Sequence, residues 1–204
     1  MRKTLRTLSY GLSSDIIEQV RVIGGIHRGR RLRTVEGLAV RPTSDRLRET
    51  LFNILAPRVT GSRFLDICAG SGAIGIEAIS RGARQVTFID NSRRSCSVIE
   101  ANIRALGIEN DVAVINRDAA AALKQLAKED KQFDIAFFDP PYASGLYDQV
   151  MRLLDEQALL SAGGVLVAEH RAKTPPGDRH GGLRMYREVR QGESALAFYA
   201  AGES

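Results

Sequence analysis

The stretch AFFDPPY, residues 136–142, combines residue types that could form a small binding cup. Pro140 and Pro141 each fix φ near about −65° and lack an N–H group, so neither continues a helix or a central strand. Asp139 precedes them and Tyr142 follows them, which gives a rigid cup with one hydrogen-bond acceptor and one flat apolar face. A pair of prolines is also typical of a stiff exit from a strand, and the stretch alone does not decide between the two.

A glycine-rich segment, DICAGSGAIG, places Gly70, Gly72 and Gly75 in the pattern G-x-G-x-x-G. Asp90 lies 20 residues beyond Gly70. The same pattern occurs in dinucleotide-binding folds, where the glycines admit a pyrophosphate and the acid binds a ribose. One interpretation of this segment is therefore the cofactor site of an NAD-dependent oxidoreductase. The residues around the segment distinguish this interpretation from a site for another ligand.

Acidic residues around the glycine segment favour a cationic ligand over a pyrophosphate. Asp66 stands just before the loop, where its carboxylate would repel a dianion but suits the ammonium group of a methionine moiety. S-adenosyl-L-methionine carries that ammonium, a ribose diol for Asp90 and an adenine amine for Asp118. Each acid alone also fits a helix cap, whereas together they indicate a cofactor site. The predicted cofactor-binding residues are Asp66, Gly70, Gly72, Asp90, Asn91, Asp118 and Ala119.

The basic residues are concentrated in the first third of the chain. Residues 1–62 carry 12 Lys and Arg against 5 Asp and Glu, a net charge of +7, whereas residues 63–204 carry 17 against 19, a net charge of −2. Five arginines and no acid lie between Arg21 and Arg33. Clustered arginine is the electrostatic footprint of nucleic-acid binding, although a solvated basic face would give the same pattern.

The order of strand-like and helical segments along the chain predicts the fold that positions the candidate site residues. From residue 63 onward, apolar strand-like runs alternate with helical ones, which implies a mostly parallel α/β sheet with helices on both faces. We predict seven strands, of which the last two form a terminal antiparallel hairpin. In such sheets ligands bind beyond the carboxyl ends of the strands, where the candidate aspartates fall. The predicted units are a flexible leader, 1–20, a basic unit with a small hairpin and a helix, 21–62, and the α/β domain, 63–204.

Composition argues against several classes of protein. An apolar content of 44% and a charged content of 26% are those of a soluble globular protein. No apolar run approaches the roughly 18 residues of a membrane span, and the first 20 residues lack the apolar centre of a signal peptide. The two cysteines and three histidines show no ligand spacing, so we expect no metal. We expect a cytoplasmic protein with reduced thiols.

Four motifs, DICAGSGAIGIEA, FID, RDA and FFDPPY, resemble those of the class I S-adenosylmethionine-dependent methyltransferases that modify exocyclic amines. That resemblance implies a Rossmann-like fold. The stretches RVIGGIHRGRRL and RPTSDRLRETLFNIL are similar to one branch, the bacterial small-subunit ribosomal RNA guanine-N2 methyltransferases (RsmD-like). The resemblance covers roughly residues 21–200 and departs from the family pattern at Cys68-Ala69, where an apolar or Phe-containing pair is expected.

The resemblance implies how the cup would act on guanine. The lone pair of the N2 amine is delocalised into the ring, so the amine is a poor nucleophile. The Asp139 carboxylate and the Pro140 carbonyl would accept its two hydrogens and turn the lone pair toward the methyl group, with rigid placement lowering the barrier. Tyr142 would stack on the base. The predicted catalytic residues are therefore Asp139, Pro140 and Tyr142.

The expected partner is small-subunit ribosomal RNA, either free or within an assembling 30S particle, bound by a monomeric enzyme. A base inside a duplex cannot reach such a cup, so the target must be unpaired or flipped. Phosphate contacts from the basic unit would offset that cost. The candidate RNA-binding residues are Arg28, Arg30, Arg31, Arg33 and Arg41.

Three other functions fit parts of the pattern. An adenine-N6 methyltransferase acting on DNA or RNA would share the DPPY motif, but the short chain leaves no room for a large target-recognition domain. An NAD-dependent oxidoreductase fits the glycines and Asp90 but leaves Asp66, DPPY and the basic third unexplained. A catalytically silent RNA-binding protein would not need the acceptor cup.

Overall fold

The computed structural model describes residues 20–34, 44–141 and 145–201, which form one α/β sheet with helices on both faces. The helices are α1 Asp45–Val59, α2 Ala73–Ser80, α3 Arg93–Leu106, α4 Ala119–Lys128 and α5 Leu146–Glu156, with a 3-10 turn at Glu109–Asp111. The strands are β1 Arg63–Ile67, β2 Gln85–Asp90, β3 Val112–Asn116, β4 Phe133–Phe138, β5 Leu160–Arg171, β6 Arg179–His180, β7 Leu183–Gln191 and β8 Ser194–Ala201.

The strand order across the sheet is β3-β2-β1-β4-β5-β8-β7-β6. Strands β1 to β5 pair in parallel, whereas β8 is antiparallel to β5 and β7 is antiparallel to β8. The predicted class I fold, mostly parallel with a terminal antiparallel hairpin, is confirmed. A two-residue strand, β6, adds an eighth member that is too short to show any alternation in the sequence. The order reverses between β1 and β4, which makes the carboxyl ends of these two strands the switch point of the sheet.

Successive residues of each strand point into two different cores. Phe64, Phe137 and Val167 belong to the first core, which packs under α1, α2 and α3. Leu65 and Phe138 belong to the second, which packs under α4 and α5. Full burial of a large apolar side chain stabilises the fold by about 1.5–3 kcal/mol relative to exposure, so this alternation fixes which face every strand residue occupies.

The N-terminal hairpin is anchored to α2 by a buried carboxylate. Arg21 pairs with Arg31 in an antiparallel bridge, and Val22 is buried in the first core. Glu77 of α2 is fully buried and accepts the backbone N–H groups of Ile23 and Gly24, each at 2.7 Å. The hairpin and α1 therefore share a core with the sheet. The division of the chain at residue 62 stays a prediction, and residues 1–19 of the leader lie outside the described residues.

Two kinds of feature are absent from the described ranges. No helix within them is long and apolar enough to cross a membrane. Across the same part of the chain, no group of three or more His, Cys, Asp or Glu is placed to hold a metal ion.

Candidate active site

The glycine loop joins β1 to α2 through a run of left-handed backbone. Gly70 has φ of 57° and Gly72 has φ of 77°, and the Gly72 N–H donates to the Ala69 carbonyl at 2.7 Å. A Cβ placed on Gly70 would meet no atom within 4 Å, so the loop is open on that side. A Cβ on Gly75 would lie only 2.3 Å from Cε1 of Phe88, so Gly75 allows α2 to pack closely on β2. Gly75 thus permits close helix packing, and Gly70 leaves room on the open side of the loop.

Asp66 lies beneath the glycine loop, where it is only 1% exposed. Its carboxylate accepts the Gly75 N–H at 2.9 Å and so ties the start of α2 to β1. Burial raises the pKa of Asp66 to about 7, with a further increase from Asp90 and an opposing decrease from the Gly75 hydrogen bond. Its predicted contact with a cofactor therefore has to be made from below the loop.

Asp90 shapes the second side of the loop. One carboxylate oxygen accepts the Gly70 N–H at 2.8 Å, and the other accepts the Ser92 N–H at 2.8 Å. The next residue, Asn91, is exposed. The predicted ribose acid thus also holds the loop, with its remaining lone pairs available to a ligand.

Asp118 is exposed and caps α4, since its side chain accepts the Ala121 N–H at 3.2 Å. Ala119 begins that helix and is buried. The predicted adenine contact would require Asp118 to share its carboxylate between the cap and the ligand. Both residues follow the carboxyl end of β3, on the same edge as Asp90.

Asp139 directly follows β4 at the switch point. Its N–H donates to the Ile67 carbonyl at 3.3 Å, which places it beside the end of β1. Burial, together with the Glu169 and Asp66 carboxylates, raises the pKa of Asp139 well above its ordinary value. Pro140 is buried, and the third predicted catalytic residue, Tyr142, lies outside the described residues. The acceptor part of the cup is therefore adjacent to the glycine loop.

Cys68 shows that the candidate acids converge. It follows β1 with a left-handed φ of 64°, in a conformation that L side chains rarely adopt. Burial raises the pKa of its thiol to about 12, and the carboxylates that raise it further are those of Asp90, Asp139, Asp66 and Asp118. The structure therefore brings the four predicted aspartates around one residue at the carboxyl edge of the sheet.

The arginines of the hairpin do not all have the same surroundings. Arg28, Arg30, Arg31 and Arg33 are exposed. Arg30 nevertheless donates from its guanidinium to the Ala105 carbonyl at 2.9 Å, near the carboxyl end of α3. The backbone of Arg33 is held by Asn102, which also donates to the Ser71 carbonyl of the glycine loop. Arg41 lies outside the described residues.

Sequence reasoning missed one acid at this edge. Glu169 lies near the carboxyl end of β5 and is only 3% exposed. In the sequence, Glu169 is visible as an acid that interrupts the apolar run GGVLVAEH. The sequence does not show, however, that Glu169 lies next to Asp139 across the sheet. The adjacent His170 is buried beside Glu188, with Nε2 3.4 Å from Oε1, in keeping with a structural role.

Comparisons with known proteins agree with this arrangement. A family model described as Conserved hypothetical protein 95 matches residues 20–200. The ribosomal RNA small subunit methyltransferase D of Escherichia coli is 35% identical over 189 residues, 91% of this chain and 93% of that protein. The protein of the same description from Haemophilus influenzae is 37% identical over 158 residues, 77% of this chain and 81% of its own. A solved structure described as "Putative methyltransferase yhhF from Escherichia coli" superposes with a TM-score of 0.80 at 35% identity, covering 90% of this chain and 98% of that one.

Proposed function

This chain belongs to the Conserved hypothetical protein 95 family, with the small-subunit ribosomal RNA methyltransferases D as relatives, and we propose that it methylates the N2 amine of a guanine in small-subunit ribosomal RNA. The observation that carries the proposal is the position of Asp139. An acceptor on a rigid Asp-Pro-Pro turn lies at the switch point, hydrogen-bonded through its N–H to the end of the strand that leads into the glycine loop.

The residues of the glycine loop fit S-adenosylmethionine. The open side of Gly70 allows close approach, and the Asp90 carboxylate holds the loop from the β2 side, where a ribose diol can donate to it. Burial raises the pKa of Asp66 beneath the loop to about 7, and a bound ammonium group would favour its ionised form, whereas a pyrophosphate would not. S-adenosylmethionine, when bound, supplies an electrophilic methyl group for direct in-line displacement with no covalent enzyme intermediate.

The substrate amine is activated by being oriented. Asp139 and the Pro140 carbonyl accept its two hydrogens, which turns the nitrogen lone pair out of the ring system and toward the methyl group. A positive charge develops on nitrogen as the new bond forms, and the Asp139 carboxylate stabilises it. Burial, together with the Glu169 and Asp66 carboxylates, raises the pKa of Asp139, which makes its carboxylate a stronger base for the released proton.

Binding of RNA is assigned to the exposed arginines of the hairpin. They lie on a segment that Glu77 and Asn102 attach to α2 and α3, so phosphate contacts would orient the RNA relative to the glycine loop. Similarity to the methyltransferases D supports ribosomal RNA as the partner. The remaining arginine candidate, Arg41, and the stacking residue, Tyr142, complete the proposal.

The test is an incorporation assay with unmodified small-subunit ribosomal RNA and labelled S-adenosylmethionine. The RNA is digested, and the methylated nucleoside is identified by mass spectrometry. We expect N2-methylguanosine at one position. Methyl label on adenine would contradict the guanine assignment, and binding of NAD without binding of S-adenosylmethionine would contradict the reaction class.

A further inference from the structure

Glu169 lies beside Asp139 on the adjacent strand. The parallel register pairs Phe138 of β4 with Ala168 of β5, so the residues that follow each are neighbours. Phe137 and Val167 both point into the first core. Glu169 stands two residues beyond Val167 in β5, and Asp139 stands two residues beyond Phe137, where its N–H still pairs with the Ile67 carbonyl of β1, so both side chains return to that face. Asp139 and Glu169 therefore occupy the same face at the carboxyl edge of the sheet.

Two carboxylates at this position are electrostatically costly. Glu169 is almost fully buried, and its charge helps raise the pKa of Asp139. Neighbouring strands lie only about 4.8 Å apart, so both carboxylates can reach one edge of a single base. Orientation of the amine uses Asp139 and the Pro140 carbonyl, and the proposed function assigns no substrate contact to Glu169.

The Watson–Crick edge of guanine offers one donor more than that cup accepts. The N2 amine presents two hydrogens, and N1–H, the next group along the edge, presents a third. We propose that Glu169 accepts the N1–H of the target guanine and thereby selects guanine over adenine. The inference rests on the proposed function, because it names the substrate contact made next to the amine that is methylated.

Adenine is disfavoured at the same position for a simple reason. Its N1 carries a lone pair and no hydrogen, so it would face the Glu169 carboxylate with like polarity. A site built to hydrogen-bond a substrate group rejects an analogue that lacks it, because the buried partner is then left unpaired. Glu169 would therefore act on the choice of base.

The experiment separates N1–H from the amine. Small-subunit ribosomal RNA is assembled by ligation with either guanine or 2-aminopurine at the methylated position. 2-Aminopurine keeps the 2-amino group but has an unprotonated N1. Single-turnover rates with saturating S-adenosylmethionine are compared for the wild-type protein, Glu169→Gln and the control Glu188→Gln, whose side chain contacts His170 and Arg190 instead.

We expect the wild-type protein to prefer guanine over 2-aminopurine by roughly 10- to 100-fold, the factor that a hydrogen bond to a charged group supplies. Glu169→Gln, whose amide can donate to N1, should lose that preference, while cofactor binding and the thermal midpoint stay near wild type. Glu188→Gln should keep it. If Glu169→Gln lowers the methylation rate equally for guanine and for 2-aminopurine, the inference is overturned and Glu169 has a structural role. Absence of guanine methylation by the wild-type protein would instead overturn the proposed function.

Discussion

The two sides of the switch point hold carboxylates in different states. On the β1–β2 side, Asp90 accepts two backbone N–H groups and Asp66 accepts one. On the β4–β5 side, Asp139 lies beside Glu169, and burial, followed by the Glu169 charge, raises the pKa of Asp139 well above its ordinary value, as burial also raises that of Asp66. The first pair of acids holds the glycine loop in shape through backbone N–H groups, whereas the second pair places two carboxylates side by side at the ends of adjacent strands.

That difference suggests how binding and chemistry are divided. On the β1–β2 side, hydrogen bonds within the protein hold the glycine loop, so the geometry of the loop exists before a ligand binds. On the proposed base-binding side, the N–H donors of a bound base would stabilise the ionised carboxylates. Substitutions on the two sides should therefore have different effects: those on the β1–β2 side should lower cofactor affinity, and those on the β4–β5 side should lower turnover.

Asp139→Asn should have the largest effect. The amide keeps the size and one acceptor oxygen of Asp139 but loses the charge and the ability to take a proton. We expect kcat and kcat/KM to fall together by about 10²- to 10⁴-fold, with cofactor affinity unchanged. Single-turnover methylation with saturating cofactor measures this.

The matched control is Asp134→Asn, a substitution at the other end of the same strand. Asp134 pairs with Arg63, with Oδ1 3.0 Å from the guanidinium, and takes no part in the cup. A near-normal rate in Asp139→Asn, or an equal loss in both variants, would refute the amine-orienting mechanism.

Asp66→Asn should change the pH dependence of stability. The pKa of Asp66 is raised to about 7, so its contribution to stability is present below the unfolded-state value of 3.8 and is lost as the pH rises toward 7. The amide can still accept the Gly75 N–H but never ionises. Relative to wild type, the variant should gain up to about 4 kcal/mol in unfolding free energy between pH 4 and pH 8.

Urea denaturation across that pH range is the measurement, with Glu188→Gln as the control. Parallel curves for Asp66→Asn and wild type would mean that Asp66 titrates normally in the folded protein. The same variant should bind cofactor more weakly, because the negative charge beneath the loop is gone.

Local patterns in the sequence predicted much of the fold and part of the site. The apolar strand-like runs at β1, β2 and β4 predicted that Asp66, Asp90 and Asp139 lie at strand ends, because the end of a strand is determined by nearby residues. Ser92 and Gly107 likewise marked both ends of α3. Local sequence patterns of this kind predict structure reliably because the contacts behind them form between residues only a few positions apart.

Features that depend on register could not be predicted. Glu169 becomes a neighbour of Asp139 only through the pairing of β4 with β5, and β6 exists only through its pairing with β7. Asp118 illustrates a different limit. A helix cap and a ligand contact require the same residue type after a strand, so the sequence alone could not show that Asp118 caps α4.

Asp90→Ala should weaken cofactor binding by about 10- to 100-fold. The change leaves the Gly70 and Ser92 N–H groups without their charged acceptor, each at a cost of about 1.5–3 kcal/mol if the loop holds its shape. RNA affinity should change little. Calorimetry with S-adenosylmethionine tests this against Asp118→Ala, for which we expect a smaller loss. Unaltered affinity in Asp90→Ala would remove the residue from the cofactor site.

Two glycine substitutions should separate packing from ligand approach. Gly75→Ala places a methyl group against the Phe88 ring and should destabilise the fold by about 1–3 kcal/mol. Gly70→Ala meets open space, so its loss of stability should be limited to backbone strain of about 1 kcal/mol, while the methyl group obstructs the cofactor. Thermal unfolding and cofactor titration of both variants give the comparison. An equal loss of stability in both, with equal affinity, would contradict this division of roles.

The smallest expected effects concern individual arginines of the hairpin. Arg31 is exposed, and loss of one phosphate contact should lower the slope of log affinity against log salt by about 0.7–0.9. Arg30 is already engaged with the Ala105 carbonyl near the end of α3, so Arg30→Gln should leave the slope closer to wild type and lower stability by about 0.3–1 kcal/mol. Filter binding of ribosomal RNA over a range of salt concentrations, together with thermal unfolding, distinguishes the two variants.

If Arg30→Gln flattens the slope as much as Arg31→Gln does, Arg30 exchanges its hydrogen bond to the Ala105 carbonyl for a phosphate contact, and both residues belong to the phosphate-binding surface. If neither variant changes the slope, these two arginines form a solvated face, and the positive charge that RNA requires has to come from elsewhere in the chain.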